Sequence, residues 1–202
     1  MFQTITTFFK NINLVLFIIM KVVFYKEKSI LISRNKNDLR DCFIIESKKN
    51  FSALTLELLK KKNVKSIGIL CKNPEKFLLN FPFSKIVAAG GIVINDKNEI
   101  LFIYRDKKWD LPKGKAEKNE NITQTAMREV KEETGVKDLI IVKPAEKTYH
   151  IFKRSKKNYL KETYWFKMKT SYDKKLTPQI SEGITRVEWI SKDKIPFIMK
   201  NT

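Results

Sequence analysis

The densest chemistry in the chain lies in REVKEETG, Arg128 to Gly135, where Glu129, Glu132 and Glu133 fall within five residues. In a helix, positions i, i+3 and i+4 share one face, so the three carboxylates crowd together. Like charges at that spacing cost roughly 0.2–0.5 kcal/mol per pair. Binding of a hard divalent cation would make the crowding useful, because Mg²⁺ takes oxygen donors and keeps waters and phosphate oxygens in its remaining positions. Upstream, Gly114 and Lys115 read as a tight turn that can aim backbone carbonyls inward. Arg128 sits on another edge of the helix, so it is expected to steady a carboxylate through a bidentate pair rather than touch phosphate. Without a wider pattern, a solvated acidic helix face remains the alternative.

The elements that must position these groups follow from local pattern. Asn121 or Thr123 can start the helix, and Gly135 ends it in the manner of a C′ glycine. Before the helix, IVAAGGIVIND and EILFIYR read as apolar strands joined around Asp96 to Asn98, and KKWDLPKGKAEKNE reads as a loop. After it, KTYHIF, LKETYWFKMK and ITRVEWIS read as strands. In LKETYWF, Lys161, Thr163 and Trp165 face one way and Glu162, Tyr164 and Phe166 the other. Ser191 is placed to cap a short final helix, in which Pro196 would lie deeper than the first-turn position proline favours. Pro82, in FPFSK, breaks the pattern. Ahead of it, KVVFY and SILIS alternate as a hairpin, and CFIIE and SIGILC supply two more strands. Ser52 can cap a helix through Lys62, with Leu54, Leu56, Leu58 and Leu59 as its apolar stripe. The expected fold class is α/β (α+β): a mixed sheet sandwiched by helices, preceded by a small α/β N-terminal region. The expected division is 1–19 as a leader or mis-assigned start, 20–84 as the N-terminal region, and 85–202 as the domain with the carboxylates.

Composition narrows the partners. The chain has 202 residues, 43% hydrophobic and 11% aromatic, enough for a packed core and not a disordered composition. Its 41 Lys and Arg against 22 Asp and Glu give a formal charge of +19. That excess favours anionic partners such as nucleotides, polyphosphates, nucleic acid or acidic lipid, with plain solubility as the bland alternative. Cys42 and Cys71 read as free thiols in a reducing compartment, so a cytoplasmic location is expected. The apolar stretch Ile12 to Phe24 is interrupted by Lys21, falls short of the ~20 residues that span a bilayer, and leads to no small-residue cleavage site. A start at Met20, a structural leader and a membrane anchor are its three readings; no membrane association is expected.

Read from Gly114 to Val136, GKAEKNENITQTAMREVKEETGV fits GX5EX7REUXEEXGU, with U aliphatic, at every specified position. The chain is thereby identified as resembling the Nudix hydrolases over roughly residues 85–202. The resemblance implies a Nudix-like α/β/α sandwich. It also implies Mg²⁺- or Mn²⁺-dependent hydrolysis of a nucleoside diphosphate linked to another group. Carried over by position, Glu129, Glu132 and Glu133 with the Gly114 carbonyl would be metal ligands. Glu120, Arg128 and Gly135 would support the loop and helix. The base would lie among Glu132, Glu129 and Glu182, the last sitting just before a strand in QISEGITRVEW. WDLPKGK, Trp109 to Lys115, is similar to the lead-in of diadenosine and diphosphoinositol polyphosphate-type members. Trp109, Lys113, Lys115, His150 and Lys161 are accordingly candidate substrate-binding residues, with core packing as the alternative for Trp109 and His150. The motifs of NADH-type and coenzyme A-type members are missing, Pro144 is too close for ADP-ribose spacing, and Tyr149 is too early for the diadenosine tyrosine. The resemblance implies a nucleoside-diphosphate-linked substrate, with a dinucleoside polyphosphate or an NTP among its candidates. The reading from another class is a nucleotide-sensing or RNA-associated protein that uses the domain as a ligand pocket. The N-terminal region carries 15 Lys and Arg against six Asp and Glu over residues 1–84. It has no RNP-like aromatic motif or GXXG loop, so homodimerisation or a lid is the simpler expectation.

Overall fold

The computed structural model describes residues 20–45 and 51–200, with the backbone alone at 51–54 and 200. The expectations for residues 1–19, the Ser52 cap and the place of Leu54 in the stripe lie outside what is described. Among the described residues no helix is long and apolar enough to cross a membrane. The chain forms two compact units. Among the described residues, the first holds 20–45, 51–85 and 149–161, and the second holds 86–148 and 162–200.

In the first unit, β1 (Lys21–Tyr25) and β2 (Lys28–Ser33) form an antiparallel hairpin, with Lys26 at φ 54° in its turn. β3 (Phe43–Ile45) and β4 (Ser66–Leu70) run parallel, and β4 also pairs in parallel with β2. Parallel neighbours need a crossover, and α1 (Phe51–Lys60) supplies it between β3 and β4. A second helix, α2 (Pro74–Leu79), was not legible in sequence because six residues carry too little periodicity. Its start is nevertheless well marked: Asn73 Oδ1 accepts from the Lys76 N–H at 3.0 Å, and Pro74 occupies the first turn, where no N–H is needed. The core of this unit joins Ile30, Ile32, Leu59 and Ile67 to Tyr149, Ile151 and Leu160. Segment 149–161 enters by parallel pairing with β1, Val23 opposite Tyr149 and Phe24 opposite His150.

The second unit is built on β5 (Ser84–Ile94), β6 (Ile100–Arg105), β11 (Ile184–Ile190), the part of β9 (Ile140–Arg154) before Tyr149 and the part of β10 (Lys157–Lys169) after Lys161, in the order β11-β6-β5-β10-β9. The stretch read as a loop contains two short strands instead. β7 (Lys108–Asp110) pairs with β6, and β8 (Lys113–Lys115) pairs with β5. Three residues cannot display a period of two, and ladder pairing rather than local propensity makes them strands. Helix α3 (Ile122–Thr134) lays Ala126 and Val130, one turn apart, against Ala89, Val93, Leu101, Phe166 and Met168. The final helix, α4 (Ile195–Lys200), starts later than expected. Ser191 contributes its carbonyl to a turn at Lys194 rather than standing at the helix end. Pro196 thus falls in the first turn, where its missing N–H is harmless. The fold is mixed α/β, with parallel and antiparallel pairings and few helices.

Candidate active site

Helix α3 is fixed at both ends by its own sequence. At its start, Asn121 Oδ1 accepts from the Gln124 N–H and Gln124 Oε1 accepts from the Asn121 N–H, both at 2.9 Å, which closes a capping box. At its end Gly135 takes φ 74° and donates to the Lys131 carbonyl at 2.8 Å. Only glycine adopts that conformation without strain.

Gly114 is not in the tight turn expected of it. It lies in β8, opposite Ala89, without a left-handed φ. Glycine leaves room there for the Glu129 carboxylate: a Cβ would fall inside it and displace it. The close approach of β8 to α3 at this point places Glu129 directly against the strand backbone.

The three carboxylates differ in burial. Glu129 and Glu133, four residues apart, are 6% and 0% exposed, while the Glu132 side chain is 46% exposed. Arg128 gathers the group. Its Nε and Nη2 form a bidentate pair with Glu120 at 2.6 and 2.9 Å, and its Nη1 donates to Glu129 Oε1 and Glu132 Oε2, each at 2.9 Å. Nη2 also donates to the Lys115 carbonyl at 3.2 Å, tying the strand to the helix. Glu120 further accepts from Thr125 Oγ1 and the Glu117 N–H. The Arg128 hydrogen bonds hold its carboxyl down at about 2.

Glu133 is in the opposite situation. Its Oε2 accepts from the Lys113 N–H at 2.7 Å, but its Oε1 has no hydrogen-bond partner among the described residues. The nearest cation to that oxygen is Arg105 Nη1, at 3.5 Å, and the same nitrogen lies 3.5 Å from Glu182 Oε2. Burial pushes the Glu133 carboxyl up to about 7, with partial relief from the Lys113 and Arg105 charges. Burial likewise raises Glu129, and the neighbouring Glu182 and Glu132 charges add to it against the pull of Arg128.

Among the described residues no three His, Cys, Asp or Glu side chains converge on one point as they stand; an arginine nitrogen holds two of the carboxylates by their oxygens. The donor set still fits a hard divalent cation. It consists of carboxylate oxygens, one buried and unpartnered, on a helix pressed against a glycine that leaves room for them.

The remaining expected residues are placed as follows. Glu182 ends a short 3-10 turn (Ile180–Glu182) just before β11 and is half exposed, within electrostatic reach of Glu129. Lys115 is exposed. Lys113 differs from the phosphate-receiving lysine expected of it: it is 5% exposed, with Nζ bonded to Asp110 Oδ2 at 2.5 Å and to the Leu111 carbonyl at 3.3 Å. A buried ammonium needs such a partner, and its burial with Asp110 withdraws Lys113 from substrate. Trp109 is buried beside Tyr104, ring centroids 5.0 Å apart, with the Arg186 guanidinium over both rings. Trp165, one of the aromatics on the later strands, is fully buried and donates to Thr148. His150 and Lys161 belong to the first unit, where His150 packs on Phe24 at 5.2 Å and Lys161 lies 5.9 Å from the Phe152 ring. Sequence reasoning missed Arg105. Its signal was positional: a basic residue closing an apolar strand, immediately before the turn at Asp106 and Lys107, whose φ angles are 52° and 62°.

The family model of the NUDIX domain matches residues 84–202, more than half of the chain. Among solved structures, the chain is similar to a MutT protein from Methanosarcina mazei Go1, at 25% identity over 57% of this chain and 83% of that one, TM-score 0.41. It is also similar to an Ap4A hydrolase from C. elegans, at 19% identity over 57% and 86%, TM-score 0.43. A third is a bifunctional NMN adenylyltransferase/ADP ribose pyrophosphatase from Francisella tularensis, at 20% identity over 63% of this chain and only 41% of that one, TM-score 0.43. The family assignment rests on the matched domain and on the pattern Gly114 to Val136, not on these overlaps. The chain belongs to the Nudix family, hydrolases that act on phosphoric anhydride bonds.

Proposed function

We propose that the chain is a divalent-metal-dependent pyrophosphohydrolase that cleaves a nucleoside diphosphate linked to a further phosphate or nucleotide group. The observation that carries this reading is the state of Glu133: a buried carboxylate, raised to about 7, with one oxygen unpartnered. Arg105 Nη1 lies 3.5 Å from that oxygen without a hydrogen bond to it, whereas a bound divalent cation would fill the acceptor. Glu129, Glu132, Glu133 and the Gly114 carbonyl would hold Mg²⁺ or Mn²⁺, which when bound neutralises the diphosphate and lowers the pKa of a water that attacks phosphorus. The protein's own part is positional. Glu120 fixes Arg128, Arg128 and the Gly114 contact orient Glu129, and the Lys113 N–H holds Glu133. Glu182 is the half-exposed carboxylate available to accept a proton from water, and Arg105 keeps it near Glu133. Glu132 is the second candidate for that step. Lys115 is an exposed cation next in sequence to Gly114, suited to a distal phosphate.

The test is turnover with Mg²⁺ on a panel of dNTPs, diadenosine polyphosphates, ADP-sugars and 5′-triphosphate RNA, repeated with Glu132→Gln. Cleavage of at least one substrate, reduced 100-fold or more in the variant, is the expected result. Tight nucleotide binding with no turnover would establish the sensor reading instead.

A further inference from the structure

We propose that one end of the first unit's sheet is a binding surface for single-stranded nucleic acid. The unit brings three turns from distant parts of the chain to that end. β1 and segment 149–161 are parallel through Phe24 and His150, so the β1–β2 turn lies at the same end as the turn that follows Arg154. β2 and β4 are parallel through Ser29 and Ser66, so the connection entering β4 lies there too. Two bonds close the arrangement: Lys28 Nζ donates to the Lys61 carbonyl at 2.6 Å, and the Ser29 N–H donates to the Lys65 carbonyl at 3.3 Å.

The three turns hold Lys26 and Lys28, then Lys60, Lys61, Lys62 and Lys65, then Lys153, Arg154, Lys156 and Lys157. Glu27 is the only acidic residue in the segments 26–28, 60–65 and 153–157. All of these basic side chains are exposed except Lys28, which is half buried. Helix-end lysines alone would be unremarkable, since the dipole favours them at the end of α1. Three independent turns of one sign, converging across about 19 Å at the ~4.8 Å strand spacing, instead repel one another until an anionic chain neutralises them.

A polynucleotide fits better than a lipid surface. Phe152 and Tyr159 flank the last turn as a stacked, half-buried pair, centroids 5.7 Å apart and planes 25° apart, which offers a flat platform to a base. The turns carry nothing to insert into a bilayer, because Val64, their sole large aliphatic residue, is 8% exposed. The surface belongs to the first unit and the α3 carboxylates to the second, and its test does not depend on them.

The experiment is fluorescence anisotropy of the full chain with labelled 20-mer RNA and DNA and, separately, with phosphatidylserine vesicles. Two loop variants are compared. One carries Lys153→Ser, Arg154→Ser, Lys156→Asn and Lys157→Ser, asparagine being chosen because residue 156 has φ 65°. The other carries Lys61→Ser, Lys62→Ser and Lys65→Ser. A charge-matched control substitutes Ser for the exposed Lys97, Lys137, Lys174 and Lys192 of the second unit. The expected result is nucleic-acid binding whose logarithm falls with log salt at a slope near −4, as for ~6 neutralised phosphates of a single strand. Each loop variant should weaken it 10-fold or more, and the control less than 3-fold. Equal loss in the control, loss in only one loop variant, or vesicle binding without nucleic-acid binding would each overturn the proposal.

Discussion

Replacing Glu133 with glutamine should stabilise the metal-free protein while abolishing its response to metal. Glu133 is fully buried and its carboxyl is raised from 4.5 to about 7, chiefly by loss of hydration. Between those values the native state binds more protons than the unfolded state, so stability falls as pH rises. The penalty is complete above pH 7. At ~1.36 kcal/mol per unit it amounts to about 3 kcal/mol. Glutamine removes the charge and keeps an oxygen to accept from the Lys113 N–H, and the pull of Lys113 and Arg105 on the carboxylate is already contained in the shift. The net gain at pH 8 in chelator is expected to be about 3 kcal/mol, or roughly 6–12 °C in Tm for a chain of this size. At pH 5, where the native carboxyl is protonated, the two proteins should agree within about 1 kcal/mol. All three tryptophans, Trp109, Trp165 and Trp189, lie in the second unit, so urea titrations followed by Trp fluorescence report on the unit that carries the helix. Saturating Mg²⁺ should reverse the order, stabilising the wild type and leaving Glu133→Gln unchanged. A variant less stable than the wild type at pH 8 in chelator, or one offset equally at both pH values, would refute the reasoning.

Other consequences are equally direct. Gly114→Ala drives a methyl into the Glu129 carboxylate and should lower Mn²⁺ affinity at least 10-fold, measured by calorimetry, with a stability loss of about 1–3 kcal/mol. Arg128→Lys and Glu120→Gln each break the bidentate pair; in a urea double-mutant cycle they should couple by about 1–2 kcal/mol, whereas additivity would mean the pair is not formed in solution. Glu182→Gln should lower kcat about 10²–10⁴-fold with little change in KM if Glu182 is the base, and a normal kcat would pass that role to Glu132. Asn121→Ala removes the capping box and should cost about 1 kcal/mol, read from the same fluorescence titration.

What the sequence made legible was whatever is written locally. The helix from Ile122 to Thr134 announces itself by a cap, a period and a terminal glycine, and the long strands from Ile100 and Ile184 by apolar runs. The bidentate grip of Arg128 follows from its edge position and from guanidinium geometry, although its partner, Glu120, lies eight residues away. What stayed hidden depends on contacts distant in sequence. Gly114 looked like a turn residue because nothing local reveals that the Glu129 side chain presses on it. Lys113 looked available to substrate because its ion pair with Asp110 exists only once β7 and β8 are both laid on their neighbouring strands. The grouping of residues 149–161 with the first unit rests on Tyr149, Ile151 and Leu160 finding a core built from residues between Val23 and Phe81. Arg105 was passed over because a lone arginine at a strand end carries no motif.

The central claim, that the α3 carboxylates form a divalent-cation site, is tested most directly by titrating Mn²⁺ into the chain and following the free ion by electron paramagnetic resonance. The account predicts saturable binding that is weakened at least 10-fold by Glu129→Gln and by Glu133→Gln separately. Binding that survives both substitutions unchanged, or no saturable binding by the wild type, would contradict it.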